Sequence, residues 1–375
     1  MPRNDSIENV LKVANLRSDP AVDAGCPGLQ NLERVLSIVI ITRNTKDLLR
    51  NLLKSIEADN SLKPFLREVI IIDNFSTDGS NTMVHKEFPW VFLVKNDRNK
   101  GFAAAANLGI TCAEGDYIFF LNSDTMLIEG EVATMVQFME ENPDAGICGP
   151  QLVYEDMRPQ RSYAHIPSLL FEIFPRSLLE LLFPAKYSTK RISKGEATSA
   201  SHQTFNAEPR TPHSEHRTPP KVGHDVPSLI GAAIVVRRKL LHDLGGFDER
   251  FFFFLEETDL CVRAREIGAL VVFLPHVKVV HLQGKTVRRQ WIKGRIQYNI
   301  SLYKFIRKHH AVLYYSIFQG VRFAKSFIVP LVLSILPFLL LHRRTRRTYI
   351  YYLKLLLWHL RGCPDNAGLF ISSPR

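Results

Sequence analysis

From residue 35 onward the chain alternates between short apolar runs and amphipathic stretches. VLSIVIIT (35–42) is apolar and β-branched, the pattern of a strand buried on both faces. Leu48, Leu49, Leu52, Leu53 and Ile56 then recur on one helical face, with Asn44 or Thr45 as the capping side chain. EVIIID (68–73) predicts a second strand, and Ser76, Thr77, Asp78 and Gly79 mark a turn or helix start. VFLVKN (91–96) predicts a third strand, GFAAAANLGITCA (101–113) a helix, and DYIFFLNSD (116–124) a fourth strand that stops on polar residues. Such alternation predicts an α/β fold with a mostly parallel sheet and helices on both faces. Ligands of these sheets bind beyond the carboxyl ends of the strands. Those ends carry Thr42-Arg43-Asn44, Asp73-Asn74 and Asn122-Ser123-Asp124.

The pattern weakens from about 156 to 225, where two apolar pieces precede a tract rich in Ser, Thr, Pro and His. That composition buries little surface and predicts a mobile loop. Order resumes at LIGAAIVV (229–236) and a short helix ending at Gly245-Gly246. FFFFLEETDLC (251–261) follows, apolar side chains running directly into acids. A helix over 257–268 would place Leu260, Cys261, Ala264 and Ile267 on one face and Glu256, Glu257 and Asp259 around its N-terminus. The helix dipole accounts for one acid there, at about 0.3–1 kcal/mol. Three acids also repel one another, and apolar neighbours with like charges raise a carboxylate towards the range of a general base. His281 leaves a strand-like VKVV run, with Gly284 and Thr286 beyond it as backbone contacts for a phosphate.

Charge changes the picture for the last third. The formal net charge of the 375 residues is +11, and after Glu266 the only acid is Asp365. The apolar run FIVPLVLSILPFLLL (327–341) is followed by RRTRR and YIYYLKLLLWHL. Fifteen residues with two prolines are short for a span of roughly 20, so an interfacial or re-entrant helix pair is expected on an anionic lipid surface rather than on nucleic acid. A buried core helix with a solvated basic face is the alternative. No apolar leader opens the sequence and the five cysteines form no framework, so thiols are expected reduced and the protein on the cytoplasmic face of the membrane. Neither a Gly-x-Gly-x-x-Gly after the first strand nor a Gly-Lys-Ser/Thr loop is present, which argues against dinucleotide and phosphate-loop sites.

Six ordered blocks carry a resemblance: VLSIVIITRN, EVIIIDNFSTDGS, NKGFAAAANLGI, DYIFFLNSD, GAAIVVRRKLLHDLGGFDERFFFFLEETDLCVRAREIG and HLQGKT. Together the chain resembles the family 2 nucleotide-sugar glycosyltransferases, in their rhamnosyltransferase-like branch. The resemblance implies a GT-A fold, a Rossmann-like nucleotide-sugar-binding sheet, over residues 35–286. The 156–225 insertion lies outside the resemblance, 1–34 form a flexible arm, and 287–375 form a helical, membrane-associating extension. It implies inverting transfer from a UDP- or dTDP-sugar to a glycan or lipid-linked acceptor. It places a divalent cation, Mg or Mn, on Asp124 and His281, and the nucleotide sugar near Thr42, Arg43, Asn44, Asp73, Asn99, Gly101 and Asn122. The base falls in the acid pair, here Glu256-Glu257 where the family has Glu-Asp; Glu257 is the first candidate, with Glu256 and Asp259 beside it. Ser123 replaces the proline of the branch's Asn-Pro-Asp. Two other readings remain: a processive polysaccharide synthase, of whose Gln-x-x-Arg-Trp motif Arg289-Gln290-Trp291 is a superficial echo, and a non-catalytic protein holding a membrane or nucleic acid through its basic tail.

Overall fold

The computed structural model describes residues 34–182, 223–282 and 291–369. The expected arm at 1–34, most of the polar tract and the Gly284–Thr286 turn lie outside them. The described residues form two compact units. One comprises 34–164, 223–249 and 260–282; the other comprises 165–182, 250–259 and 291–369. The acid-bearing stretch 250–259, read from sequence as part of the sheet domain, thus groups with the C-terminal helices.

The sheet unit is built on β1 (Leu36–Thr42), α1 (Lys46–Ala58), β2 (Leu66–Asp73), α2 (Ser80–Glu87), β3 (Phe92–Lys95), α3 (Phe102–Cys112) and β4 (Tyr117–Asn122). β3, β2, β1 and β4 pair in that order, all parallel, as the alternation predicts. Beyond β4 the expectation of a mostly parallel sheet fails. β10 (Ala233–Arg237) inserts antiparallel between β4 and β6 (Ala145–Val153). β11 (Leu270–His281) runs parallel to β6, and β5 (Thr125–Leu127) pairs antiparallel to β11. β6, buried at every position, was not singled out in the sequence because Gly and Pro interrupt its apolar run.

Local chemistry fixes these elements. α1 buries Leu49, Leu52, Leu53 and Ile56 against the sheet. Neither Asn44 nor Thr45 caps it through a side chain; Asp78, from the loop after β2, accepts the Lys46 N–H at 2.8 Å instead. α3 lies close on β1: Ala103, Ala105 and Ala106 are buried, and a Cβ on Gly109 would collide with the Val39 side chain. The small residues of this helix therefore serve packing. The described part of the insertion includes its two apolar pieces, and the polar tract that predicts a mobile loop lies outside the described residues. β7 (Tyr163–Ala164) pairs with β9 (Ser228–Leu229), and α5 (Leu169–Ile173) and α6 (Arg176–Leu182) follow β7.

α7 (Arg238–Leu244) ends, as expected, on left-handed Gly245. α8 (Glu256–Glu266) buries Leu260, Cys261 and Ala264, but Ile267 is 58% exposed. The helix stops one residue earlier, where Ala269 N bonds Ala264 O and Gly268 takes φ 96°, and Ile267 turns outward.

In the helical unit, α9 (Trp291–His309) precedes α10 (Val312–Ile335), a 3-10 turn (Pro337–Leu341) and α11 (Arg343–Leu360). The apolar run read as fifteen residues is divided: 327–335 close a 24-residue helix that continues through Pro330, and Pro337–Leu341 form the 3-10 turn. At 1.5 Å per residue that helix is about 36 Å long, enough by length and composition to cross a membrane. Near its middle, Arg322 and Lys325 both pair with Glu172 of α5, at 2.5 and 3.3 Å.

Candidate active site

In the sheet unit the predicted residues gather on one edge. β1 pairs Thr42 with Asp73 of β2 and Ile41 with Asn122 of β4, so three strand ends stand side by side. Asp73 is buried, and its carboxylate accepts from Ser76 N and, at 2.9 Å, from Asn81 Nδ2. Thr42 Oγ1 lies 2.8 Å from Thr45 Oγ1, whose hydroxyl donates to Ser123 Oγ. Asn44 takes φ 54° and accepts from Thr77 N at 2.7 Å, tying the β1 loop to the β2 loop. Arg43 carries a buried Nε with no hydrogen-bond partner among the described residues. Burial lowers its pKa against the opposing pull of Asp73. A half-buried cation with an unused buried donor is costly alone and suits an anionic ligand.

Asn74 is the organiser that the sequence reading placed at a strand end without a role. Its Nδ2 donates to Asn99 Oδ1 at 3.0 Å and to Gly101 O at 2.9 Å, and its Oδ1 accepts from Asn96 Nδ2 and Lys100 N. The 99–101 loop is thereby pinned to β2. Gly101 heads α3 at φ 83°, a conformation that favours glycine.

Asp124 and His281 come together: Nε2 of the imidazole lies 3.5 Å from Asp124 Oδ1. Leu282 N donates to Asp124 O, joining the two segments. No local pattern pointed to the third partner, Gln160. Its Nε2 donates to Val153 O at 3.1 Å and His281 O at 2.5 Å, which leaves Oε1 as the acceptor. His281 Nδ1 lies 3.1 Å from that oxygen and donates to it, which leaves Nε2 facing Asp124. This is how a metal-binding histidine is commonly oriented. Among the described residues no group of three or more His, Cys, Asp or Glu forms a candidate metal cluster. A carboxylate and an imidazole fit a cation whose other positions are taken by diphosphate oxygens and water.

In the helical unit the FFFFLEE stretch is held to α9. Ser301 Oγ donates to Phe253 O at 2.7 Å, and Lys304 Nζ to Arg250 O at 3.0 Å. Phe251, Phe252 and Leu255 are buried. Phe254 and Leu255 take φ 71° and 66°, left-handed backbone at two consecutive bulky residues. Such strain persists only where surrounding contacts enforce it, and it occurs at functional sites. Glu256 follows directly, 5% exposed, with Oε2 lacking a hydrogen-bond partner among the described residues. Burial first, and the neighbouring Glu257 charge second, push its carboxyl well above the usual range. Asp259, fully buried, meets Lys308 Nζ at 2.6 Å and His309 Nε2 at 2.8 Å. The two basic residues compensate Asp259, which anchors the stretch rather than standing ready to take a proton.

A mixed sheet whose parallel half ends in these groups defines a GT-A type nucleotide-sugar-transferase fold. The profile of Glycosyl transferase family 2 matches residues 37–245, and the chain belongs to that family. An N-acetylglucosaminyl-diphospho-decaprenol L-rhamnosyltransferase of Mycobacterium tuberculosis is 25% identical over 288 residues, 74% of this chain and 85% of that protein. A pre-mycofactocin glycosyltransferase of the same organism is 26% identical over 80% of this chain and 53% of its own length. In fold, the chain is similar to a mannosyltransferase of Pyrobaculum calidifontis solved with GDP-Man and Mn2+, with a TM-score of 0.50, 17% identity, and coverage of 94% of this chain and 96% of that one. The protein is a rhamnosyltransferase-like family 2 glycosyltransferase.

Proposed function

We propose that this glycosyltransferase moves a sugar, with inversion, from a UDP- or dTDP-sugar to a lipid-linked glycan acceptor at the cytoplasmic surface of a membrane. A deoxysugar such as rhamnose is the donor favoured by the rhamnosyltransferase relative. The observation that carries the reading is the sheet edge, where the Asp124–His281 pair shares one border with the unsatisfied Arg43 and the Asn74-pinned 99–101 loop. Thr42, Asn44, Asp73 and Asn122 frame the nucleoside end. Asp124 and His281 would hold a divalent cation, Mg or Mn, which when bound neutralises charge on the departing diphosphate. Glu257 is the base: it takes the proton of the acceptor hydroxyl as that oxygen bonds to the anomeric carbon and the carbon–oxygen bond to diphosphate breaks. Attack opposite the leaving group inverts the centre, and no covalent sugar–enzyme intermediate is needed. Burial, and then the Glu257 charge, push the Glu256 carboxyl above the ordinary carboxylate range.

Membrane docking is proposed for the helical unit, with an anionic bilayer surface as its partner. Val312 and Leu313 at the start of α10 and Ile335 and Leu341 at and beyond its end are strongly exposed, and the exposed Arg343, Arg344, Arg346 and Arg347 follow Leu341. The Glu172-paired charges midway along α10 favour a helix lying at the interface over one crossing the hydrocarbon.

The test is a thermal-shift screen of nucleotide sugars with Mn2+ or Mg2+, followed by transfer to a polyprenyl-diphosphate-linked sugar. A donor should raise the melting temperature, since a ligand of the folded state stabilises it. Glu257→Gln should keep that shift and lose transfer by about 10²–10⁴-fold. Failure of every nucleotide sugar to stabilise the protein would refute the reading; near-normal transfer by Glu257→Gln would move the base elsewhere.

A further inference from the structure

Within the helical unit, the start of α9, the end of α11 and the 364–367 turn enclose an open cavity of about 430 Å³. Small-molecule sites commonly measure about 300–1,000 Å³. Ile296 and Trp358 give it a buried apolar floor. The indole N–H donates to Pro364 O at 2.9 Å, which fixes the ring. Lys293, Lys354 and Arg361 line the cavity and no carboxylate does. All three cations are exposed, and none is ion-paired among the described residues. Asp365, the one acid in this part of the sequence, is turned to Lys304 at 3.0 Å. Leu357, on the lining, and Leu360, one helical turn along, are 51% and 65% exposed.

Uncompensated cations above an apolar floor set the ligand's chemistry. A bare phosphate would satisfy the charges and leave Leu357 and Leu360 in contact with water. A neutral hydrocarbon would cover the floor and strip water from the ammonium groups at a cost. A molecule with an anionic head and an apolar body meets both demands. We propose that this cavity binds a lipid phosphate, a phosphate or diphosphate ester of an isoprenoid or acyl chain, its head among Lys293, Lys354 and Arg361 and its chain leaving over Leu357 and Leu360. That the lipid is the acceptor's own carrier rests on the function proposed above; the site itself rests on its lining residues.

The full-length protein is titrated with farnesyl diphosphate and, separately, with inorganic pyrophosphate. Farnesyl diphosphate should bind at least about tenfold more tightly, the apolar chain adding more than 1.4 kcal/mol. The double variant Lys354→Glu/Arg361→Glu should weaken that binding by about tenfold or more, with its melting temperature retained because both side chains are exposed. Lys86→Glu/Lys278→Glu makes the same charge change at exposed residues outside the cavity and should leave the affinity within about twofold. Displacement of the farnesyl probe by short-chain phosphatidylglycerol would assign the site to bilayer phospholipid; resistance to displacement would assign it to isoprenoid phosphates, and either result supports the site. Equal affinity for the two diphosphates, equal losses in the two double variants, or no binding of farnesyl diphosphate would overturn it. Donor-induced stabilisation, measured on the same samples, reports on the transferase reading independently.

Discussion

Gln160 shows how much one side chain can decide. It is a buried side chain just after an exposed turn, 121 residues from His281 in sequence, and it orients the ring so that Nε2 faces Asp124. Gln160→Met should therefore raise the Mn2+ concentration needed for half-maximal donor-dependent stabilisation by about 10–100-fold, the usual effect of losing such a partner. A thermal-shift titration of Mn2+ at fixed nucleotide reads this directly, and an unchanged titration would remove Gln160 from that role. Glu256 makes a second residue-level case. Its folded-state pKa is raised, so between the ordinary carboxylate pKa and the folded value the native state holds more protons than the unfolded state. Stability from this group accordingly falls as pH rises through that window. Glu256→Gln should melt higher than the parent at pH 8, with the gap closing towards pH 4.5. A gap independent of pH would contradict the assignment.

At the scale of elements, the acid-bearing loop is shaped by a helix far along the chain. Two left-handed bulky residues before Glu256 persist because α9 grips the carbonyls of Arg250 and Phe253 and neutralises Asp259. Asp259→Ala would leave Lys308 and His309 without their buried partner. Breaking one side of a buried ion pair costs about 3–5 kcal/mol, so guanidinium denaturation should show a loss of that size. Transfer should fall as well, because the loop that presents Glu257 loses its anchor. The sequence made the acids conspicuous and suggested two causes, the helix dipole and a carboxylate tuned as a general base. The backbone strain and the α9 partners were invisible in it, because side chains some fifty positions apart leave no local periodicity.

For the whole molecule, the charge asymmetry has a physical outlet in the exposed apolar and arginine-rich surface of the helical unit. Flotation with vesicles should show binding that rises with phosphatidylglycerol content and falls with salt, as the headgroup attraction is screened over about 10 Å at 0.1 M. Reversing Arg343, Arg344, Arg346 and Arg347 to Glu should abolish flotation, and salt-independent binding would argue against an electrostatic contribution. The parallel half of the sheet, its polar edge and the helix faces could be read from the chain, because burial imposes periodicity on nearby residues. Three things could not. The antiparallel insertion of β10 between β4 and β6 joins segments nearly ninety residues apart. The grouping of 250–259 with the C-terminal helices, and the cavity floored by Trp358, likewise arise from packing between distant segments. Residue type and local pattern were enough to single out candidate site residues, though neither Gln160 nor the organising role of Asn74. Their partners and surroundings came from the folded chain, since those depend on contacts that no short window of sequence encodes.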